Sequence, residues 1–281
     1  MIVDAHAIVL PERVRRDYRK LKAVEPRAFA FVFNHPEVEP VLPMASQEGL
    51  LRSMEQAGID QSVIMSFGWR QQELCQECND YVKACAASEP SRLIPFAVVQ
   101  PKAGQAAVDE LRRRLEEDGF QGLKLTPHFQ GITTDDPSVY PLIEVLIKHK
   151  APLLVHVDHP FQGPDRDLPY HVLALARRYP EAKIIAAHLG GLLCLYNLWG
   201  PVRAQMENLY FDTAVSATME MVEFATRVNP AHKIIFGTDF PFNHCHSQGV
   251  VLDGLNALAI DPAVKRRILG ENLLALLPSW P

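Results

Sequence analysis

Cysteine is scarce in this chain, at five of 281 residues. Three of the five, Cys75, Cys78 and Cys85, fall in "CQECNDYVKAC". Their spacing keeps them on or near one face of a helix, and no second paired motif accompanies them, as a four-thiolate zinc site requires. They read as packing residues without disulfides, which suits a reducing compartment. Positive charge is not in excess either. Lys and Arg number 28 against 33 Asp and Glu, a net charge of −5 that argues against a general nucleic-acid surface. No uninterrupted apolar run approaches the roughly 20 residues of a membrane span, and no basic region precedes the first apolar run as in a signal peptide. The expected partner is therefore a small-molecule substrate, with no nucleic acid and no membrane, and the expected location is cytoplasmic. No linker, composition break or internal repeat divides the chain, so residues 1–281 read as one domain.

With 48% hydrophobic residues the chain can bury a sizeable core. Its apolar residues come in eight short runs: Met1 to Leu10, Ser62 to Gly68, Leu93 to Pro101, Gly122 to Pro127, Pro152 to Asp158, Lys183 to Gly191, Leu209 to Ser216 and Lys233 to Pro241. Between them lie segments with apolar residues at helical spacing, such as Val108, Leu111 and Leu115. Strands alternating with helices argue for parallel βαβ units, and near-continuous apolar runs suit strands buried on both faces. Eight such units at this length predict an α/β protein, a (β/α)8 TIM barrel with a long loop after the first strand. The rival is a doubly wound open sheet, which does not gather the ends of distant strands as readily.

Four runs end on residues that bind metals or move protons: "MIVDAHAIV", "PLLVHVDHP", "KIIAAHLGG" and "KIIFGTDFPF". In a barrel, the carboxyl ends of the strands converge, bringing Asp4, His6, His156, His188 and Asp239 to one mouth. A lone His near a strand end is usually a hydrogen-bonded core or surface residue; four coincident cases are much less expected by chance. Two neutral imidazoles and a carboxylate, His6, His156 and Asp239, suit one divalent ion, Zn²⁺ first and Mn²⁺ next, with a water completing the shell. The ion lowers the water's pKa towards about 7. Asp239 is expected to bind the ion, take the water's proton, or both. His188 is the expected general acid and base, since its ordinary pKa lies near 6.5. Asp4 is expected to orient a neighbour or the loop.

The stretch from Pro11 to Ala45 lacks strong periodicity. It opens with "RVRRDYRKLK", expected as a short solvated helix, and continues with "FAFVFNHPEVEPVLPM". Lying over the mouth, its Phe29, Phe31 and Phe33 form either a lid over the substrate or a small hairpin on the rim.

Taken in order, "VDAHAIV", "GLKLTPHFQG", "LLVHVDHP", "IIAAHLGG", "LYFDTAVS", "KIIFGTDFPF" and "ILGENLLALL" resemble the amidohydrolase-related group that includes aminocarboxymuconate-semialdehyde decarboxylase, resorcylate-type decarboxylases and pyrone-dicarboxylate lactonase. The likeness runs from Met1 to about Leu277. It implies a metal-dependent hydrolase or non-oxidative decarboxylase of a small carboxylated or carbonyl compound. It also implies His156 as the strand-five ligand, His188 as the strand-six acid/base and Asp239 as the strand-eight ligand or base. One departure stands out. The group's first strand carries His-x-His, whereas this chain reads His6-Ala7-Ile8, and Ile8 has no donor atom. Three outcomes follow: the ion survives on His6, His156 and Asp239; a histidine such as His159, His244 or His246 substitutes; or the metal is lost. The last leaves either a metal-independent lactone or ester hydrolase, as in the lactonase branch, or a binding barrel without catalysis. Related barrels use a carboxylated strand-four lysine to bridge two metals, but Ile8 removes a histidine that pattern needs. Lys124 is then a contact for a substrate carboxylate or a structural bridge between strands, with His128 beside it. Trp69 and Arg70 follow the second run and are expected at the mouth, where with Lys124 they suit a planar carboxylated substrate. The apolar "LLCLYNLW" after the sixth run offers a surface for a homo-oligomer.

Overall fold

All eight apolar runs form strands in the computed structural model, which describes residues 1–158, 167–214 and 218–278. They are β1 (Val3–Ile8), β2 (Gln61–Met65), β3 (Leu93–Val98), β4 (Gly122–Leu125), β5 (Leu153–Val155), β6 (Ile184–Ala186), β7 (Leu209–Asp212) and β8 (Ile234–Ile235). They lie in one eight-stranded sheet in sequence order, and every neighbouring pair is parallel. The sheet closes on itself just past β8. Ala5 N donates to Phe236 O at 2.9 Å and Ile8 N to Phe240 O at 2.7 Å. That closure distinguishes a barrel from an open doubly wound sheet, and the expected TIM-barrel class holds.

The period-two alternation of strand side chains divides the core. Leu123, Leu125, Leu153, Val155, Ile184 and Ala186 pack with helix residues such as Leu111, Leu142 and Leu175 in the outer layer. Leu154, Ile185, Val98 and Ile235 fill the barrel interior. Lys124 stands between Leu123 and Leu125, so it belongs to the interior row, level with Leu154 on the next strand. It is 1% exposed. Cys75, Cys78 and Cys85 are buried and free, packing as expected, and burial raises Cys78 to about 12.

The loop after β1 folds into short helical turns. Glu12–Arg16 is the expected first helix, and Pro26–Ala28 then runs into a wide turn, Phe29–Phe33. The alternating phenylalanines therefore do not make a hairpin: Pro26 opens a helical turn, leaving Phe29 and Phe33 a turn apart while Phe31 faces elsewhere. The loop is fastened from beneath. Glu25, 1% exposed, accepts Arg70 N–H at 2.8 Å and Gln71 N–H at 2.9 Å. Phe33 stacks on Trp69 with ring centroids 6.1 Å apart. Tyr196, Leu198 and Trp199 of the apolar stretch after β6 are exposed. Among the described residues, no helix is long and apolar enough to cross a membrane.

Candidate active site

The site is organised around a carboxylate. Asp212 ends β7 and is fully buried. Its Oδ2 accepts from His6 Nδ1 at 2.9 Å, while Oδ1 accepts His188 N–H at 2.7 Å and Ala214 N–H at 3.2 Å. Burial alone would raise its pKa; the bond from His6 and the surrounding positive potential outweigh it and pull Asp212 down to about 2. Gly237 leaves room for the pair, since a Cβ there would stand 3.2 Å from the Cβ atoms of both His6 and Asp212.

These bonds determine where the protons sit. A carboxylate only accepts, so His6 carries a proton on Nδ1; an ammonium only donates, so Nε2 meets Lys124 with its lone pair. Lys124 Nζ lies 3.0 Å from that atom. Asp239 Oδ1 is 3.3 Å from the same nitrogen, and Asp239 itself sits at φ 57° on the turn after β8. Burial depresses the Lys124 ammonium to about 8, against the pull of Asp239, Asp212 and Asp167. It remains a cation at neutral pH.

A second chain of bonds reaches His156. The Ala214 carbonyl, 3.1 Å from His188 Nδ1, only accepts, so His188 carries its proton there. His188 Nε2 then accepts from His156 Nδ1 at 3.0 Å. The other nitrogen of His156 faces Asp158 Oδ1 at 3.2 Å. Both nitrogens of His156 therefore face acceptors, the hydrogen-bonding pattern of an imidazolium. Burial, with His156 beside it, lowers His188 to about 4, so His188 is neutral at pH 7.

A cavity of about 250 Å³ opens over these groups. His6, Lys124, His156 and Asp239 line it together with Ile8 and Thr126, and Phe31, Phe67, Phe129 and Phe242 give it an apolar ceiling. Phe31 stands edge-on to His156 with centroids 6.1 Å apart. His188 does not line the cavity; it stands behind His156. His128 packs its ring on Phe31 and Phe129, and its carbonyl accepts from Arg27, so it supports the lid. The expectation that Trp69 and Arg70 face the substrate is corrected here. The Trp69 indole is fully buried, with its N–H on Ser66 Oγ at 2.9 Å, because the chain turns inward after β2 to carry Phe33. Arg70 is exposed and lines a separate surface groove with Arg27 and Lys102. His244 and His246 line the cavity, and His159 lies outside the described residues.

Asp4 has the orienting role. It accepts from Thr238 N at 3.0 Å and Thr238 Oγ1 at 2.6 Å, and from Gln248 Nε2 at 2.7 Å, tying β1 to the turn that carries Asp239. Sequence reasoning missed Asp212, although "LYFDTAVS" also ends an apolar run on a carboxylate.

The donors do not complete a metal shell. Ile8, buried and lining the cavity, offers no atom. His6 spends Nδ1 on Asp212 and Nε2 on Lys124. His156 spends both nitrogens on His188 and Asp158. Among the described residues, three donors within 4.8 Å of one another occur at His156, Asp158 and Asp167, not at His6, His156 and Asp239. There Asp158 and Asp167 are tied to each other, through Asp158 N–H to Asp167 O at 2.8 Å.

The model of the amidohydrolase family matches residues 3–278, and the chain belongs to that family. It is accordingly an enzyme of the amidohydrolase superfamily. Among curated proteins it is 25% identical over 245 residues to 2-amino-3-carboxymuconate-6-semialdehyde decarboxylase of Dictyostelium discoideum, an alignment covering 73% of this chain and 66% of that protein. It is 22% identical over 254 residues to gamma-resorcylate decarboxylase of a Polaromonas species, covering 70% of this chain and 78% of the relative. Among solved structures, 5-carboxyvanillate decarboxylase of Sphingomonas paucimobilis superposes with a TM-score of 0.82 at 15% identity, covering 98% of both chains. A Polaromonas dihydroxybenzoic acid decarboxylase with bound manganese and 2-nitroresorcinol gives 0.79 at 20% identity, covering 98% of this chain and 96% of the other.

Proposed function

We propose that this protein is a non-oxidative decarboxylase of a small planar acid. The observation that carries the reading is His156, a wall residue with both nitrogens facing acceptors, beneath an aromatic ceiling in a cavity that a buried ammonium also lines. The substrate's flat body lies against Phe31, Phe67, Phe129 and Phe242. Its carboxylate or adjacent oxygen takes the Lys124 ammonium. His156 delivers a proton to the carbon bearing the carboxylate, the bond to that carboxylate breaks, its electron pair stays on the carbon as the new C–H bond, and carbon dioxide leaves. His156 is then neutral and regains its proton from solvent. His188 acts through His156, keeping it oriented, and Asp212 does the same for His6. Proton delivery of this kind is worth about 10² to 10⁴ in rate.

A hydrolytic reading keeps Asp239, whose carboxylate lines the cavity, as base for a water attacking a lactone or ester. The apolar ceiling and the decarboxylase relatives favour loss of carbon dioxide. Solved neighbours of this fold carry manganese. The test is a panel of hydroxybenzoates, 5-carboxyvanillate and aminocarboxymuconate semialdehyde assayed in D₂O. Carbon dioxide release with one deuterium at the vacated carbon supports the reading. Turnover of lactones or esters, with no acid decarboxylated, overturns it.

A further inference from the structure

We propose that Lys124 is a built-in substitute for the metal ion of this fold: its ammonium, seated on His6 Nε2, supplies the positive charge at the strand ends and leaves no position for a resident ion. The argument counts lone pairs. With the Nδ1 proton of His6 committed to Asp212, the ring has a single lone pair, at Nε2. That pair binds one N–H of Lys124 or one metal, never both, and Lys124 is 3.0 Å away. Ile8, on the same strand two residues on, turns an alkyl group to the cavity where the family resemblance calls for a second histidine. His156 has no lone pair to give while both of its nitrogens face acceptors. The negative charge that would draw a cation here, on Asp212 and Asp239, already has one in Lys124, which is 1% exposed in the barrel interior, level with Leu154. The loss of a ligand at residue 8 and the presence of an ammonium at residue 124 are thus two halves of one exchange.

The inference rests on the decarboxylase reading for its chemistry, but its test is a binding measurement. Full-length protein purified without a histidine tag is analysed for bound metals and then titrated with Mn²⁺, free ion being followed by electron paramagnetic resonance. The wild type is expected to carry far less than one metal per chain and to show no stoichiometric binding. Ile8→His alone is expected to leave this unchanged, because Lys124 still holds His6. Ile8→His combined with Lys124→Met supplies a donor and frees the lone pair. It is expected to bind about one Mn²⁺ per chain, tighter than Ile8→His by about tenfold or more, the scale that outer partners of a metal site alone produce. One Mn²⁺ per wild-type chain, or equal binding by Ile8→His and the double variant, overturns the inference. Should the double variant fail to fold by circular dichroism, the wild type decides: turnover that survives dialysis against a chelator supports the substitution, and turnover lost on chelation and restored by Mn²⁺ overturns it while leaving the decarboxylase reading intact. Failure of every acid in the panel, with and without Mn²⁺, sinks that reading and leaves the titration to judge Lys124.

Discussion

Replacing Asp212 by Asn probes the whole arrangement with a change of one atom. The amide oxygen keeps the two backbone bonds from His188 and Ala214, since only an acceptor satisfies both. The amide NH₂ then faces His6 Nδ1, which must become the acceptor, and the ring's proton moves to Nε2. That N–H points at the Lys124 ammonium, donor against donor, across 3.0 Å. The charge-assisted bond to His6 is lost, at a cost of about 1.5 to 3 kcal/mol. For a chain of this size that lowers Tm by roughly 3 to 12 °C, at about 2 to 4 °C per kcal/mol. Activity falls further than stability, because the wrong tautomer dislodges the cation that holds the substrate. A loss on the order of 10³ to 10⁴ in kcat is expected, by analogy with the aspartate that orients the histidine of serine hydrolases. Calorimetry measures the first quantity and steady-state decarboxylation at pH 7 the second. A folded Asp212→Asn protein with kcat within a few-fold of wild type would refute the tautomer argument and, with it, the placement of Lys124.

His188→Gln should slow turnover about tenfold to a hundredfold, because His156 loses the partner that orients it. His188 is depressed to about 4 when folded and titrates near 6.5 when unfolded, so the unfolded chain binds a proton that the folded chain refuses between those values. Wild-type stability should therefore fall as pH drops from 6.5 to 4, and His188→Gln should flatten that slope in denaturant titrations; an unchanged slope would refute the assignment. Lys124 works at the other end. Its folded value of about 8 lies below its ordinary 10.5, so stability should rise from pH 8 to 10.5 while activity falls as the ammonium is lost. Lys233 is shifted the same way, so the comparison is with Lys124→Met, and activity that holds level through pH 8 to 9.5 would count against the cationic role. Trp69→Phe keeps the stack under Phe33, so KM should stay within about twofold, and a larger change would return Trp69 to the substrate's list of contacts.

The strands were legible because parallel strands buried on both faces need unbroken apolar runs, and nothing else in a chain of this length repeats eight times. The convergence of His6, His156 and Asp239 on one cavity followed from that architecture, and so did the interior position of Lys124. Direction was less legible. Trp69 and Arg70 leave β2 together, yet the turn that follows sends the indole into the core and the guanidinium to solvent. Alternating phenylalanines at 29, 31 and 33 fit a hairpin or helical turns equally, and Pro26 tipped the balance. His188 ends a run as expected, but the turn that carries it sets the ring behind His156. Asp212 was passed over because it is a single carboxylate on a strand, and its importance lies in three partners that only the closed barrel brings to it.

After β6, five consecutive residues adopt left-handed backbone conformations: His188, Leu189, Gly190, Gly191 and Leu192, with φ from 53° to 77°. Three of the five are not glycine, and each such residue costs about 1 to 2 kcal/mol. The turn survives because its surroundings hold it. Asp212 grips the His188 amide, and a Cβ at Gly191 would stand 2.1 Å from the Asp158 carbonyl oxygen. The turn thus depends on two side-chain identities, the carboxylate at 212 that grips the amide and the missing Cβ at 191. New substrate preferences have a freer route through the lid, where Phe31, Val32, His35, Glu37, Val38 and Val41 line the cavity without bearing the turn, and a library confined to that loop should return more folded, altered enzymes than one spread over the strand ends.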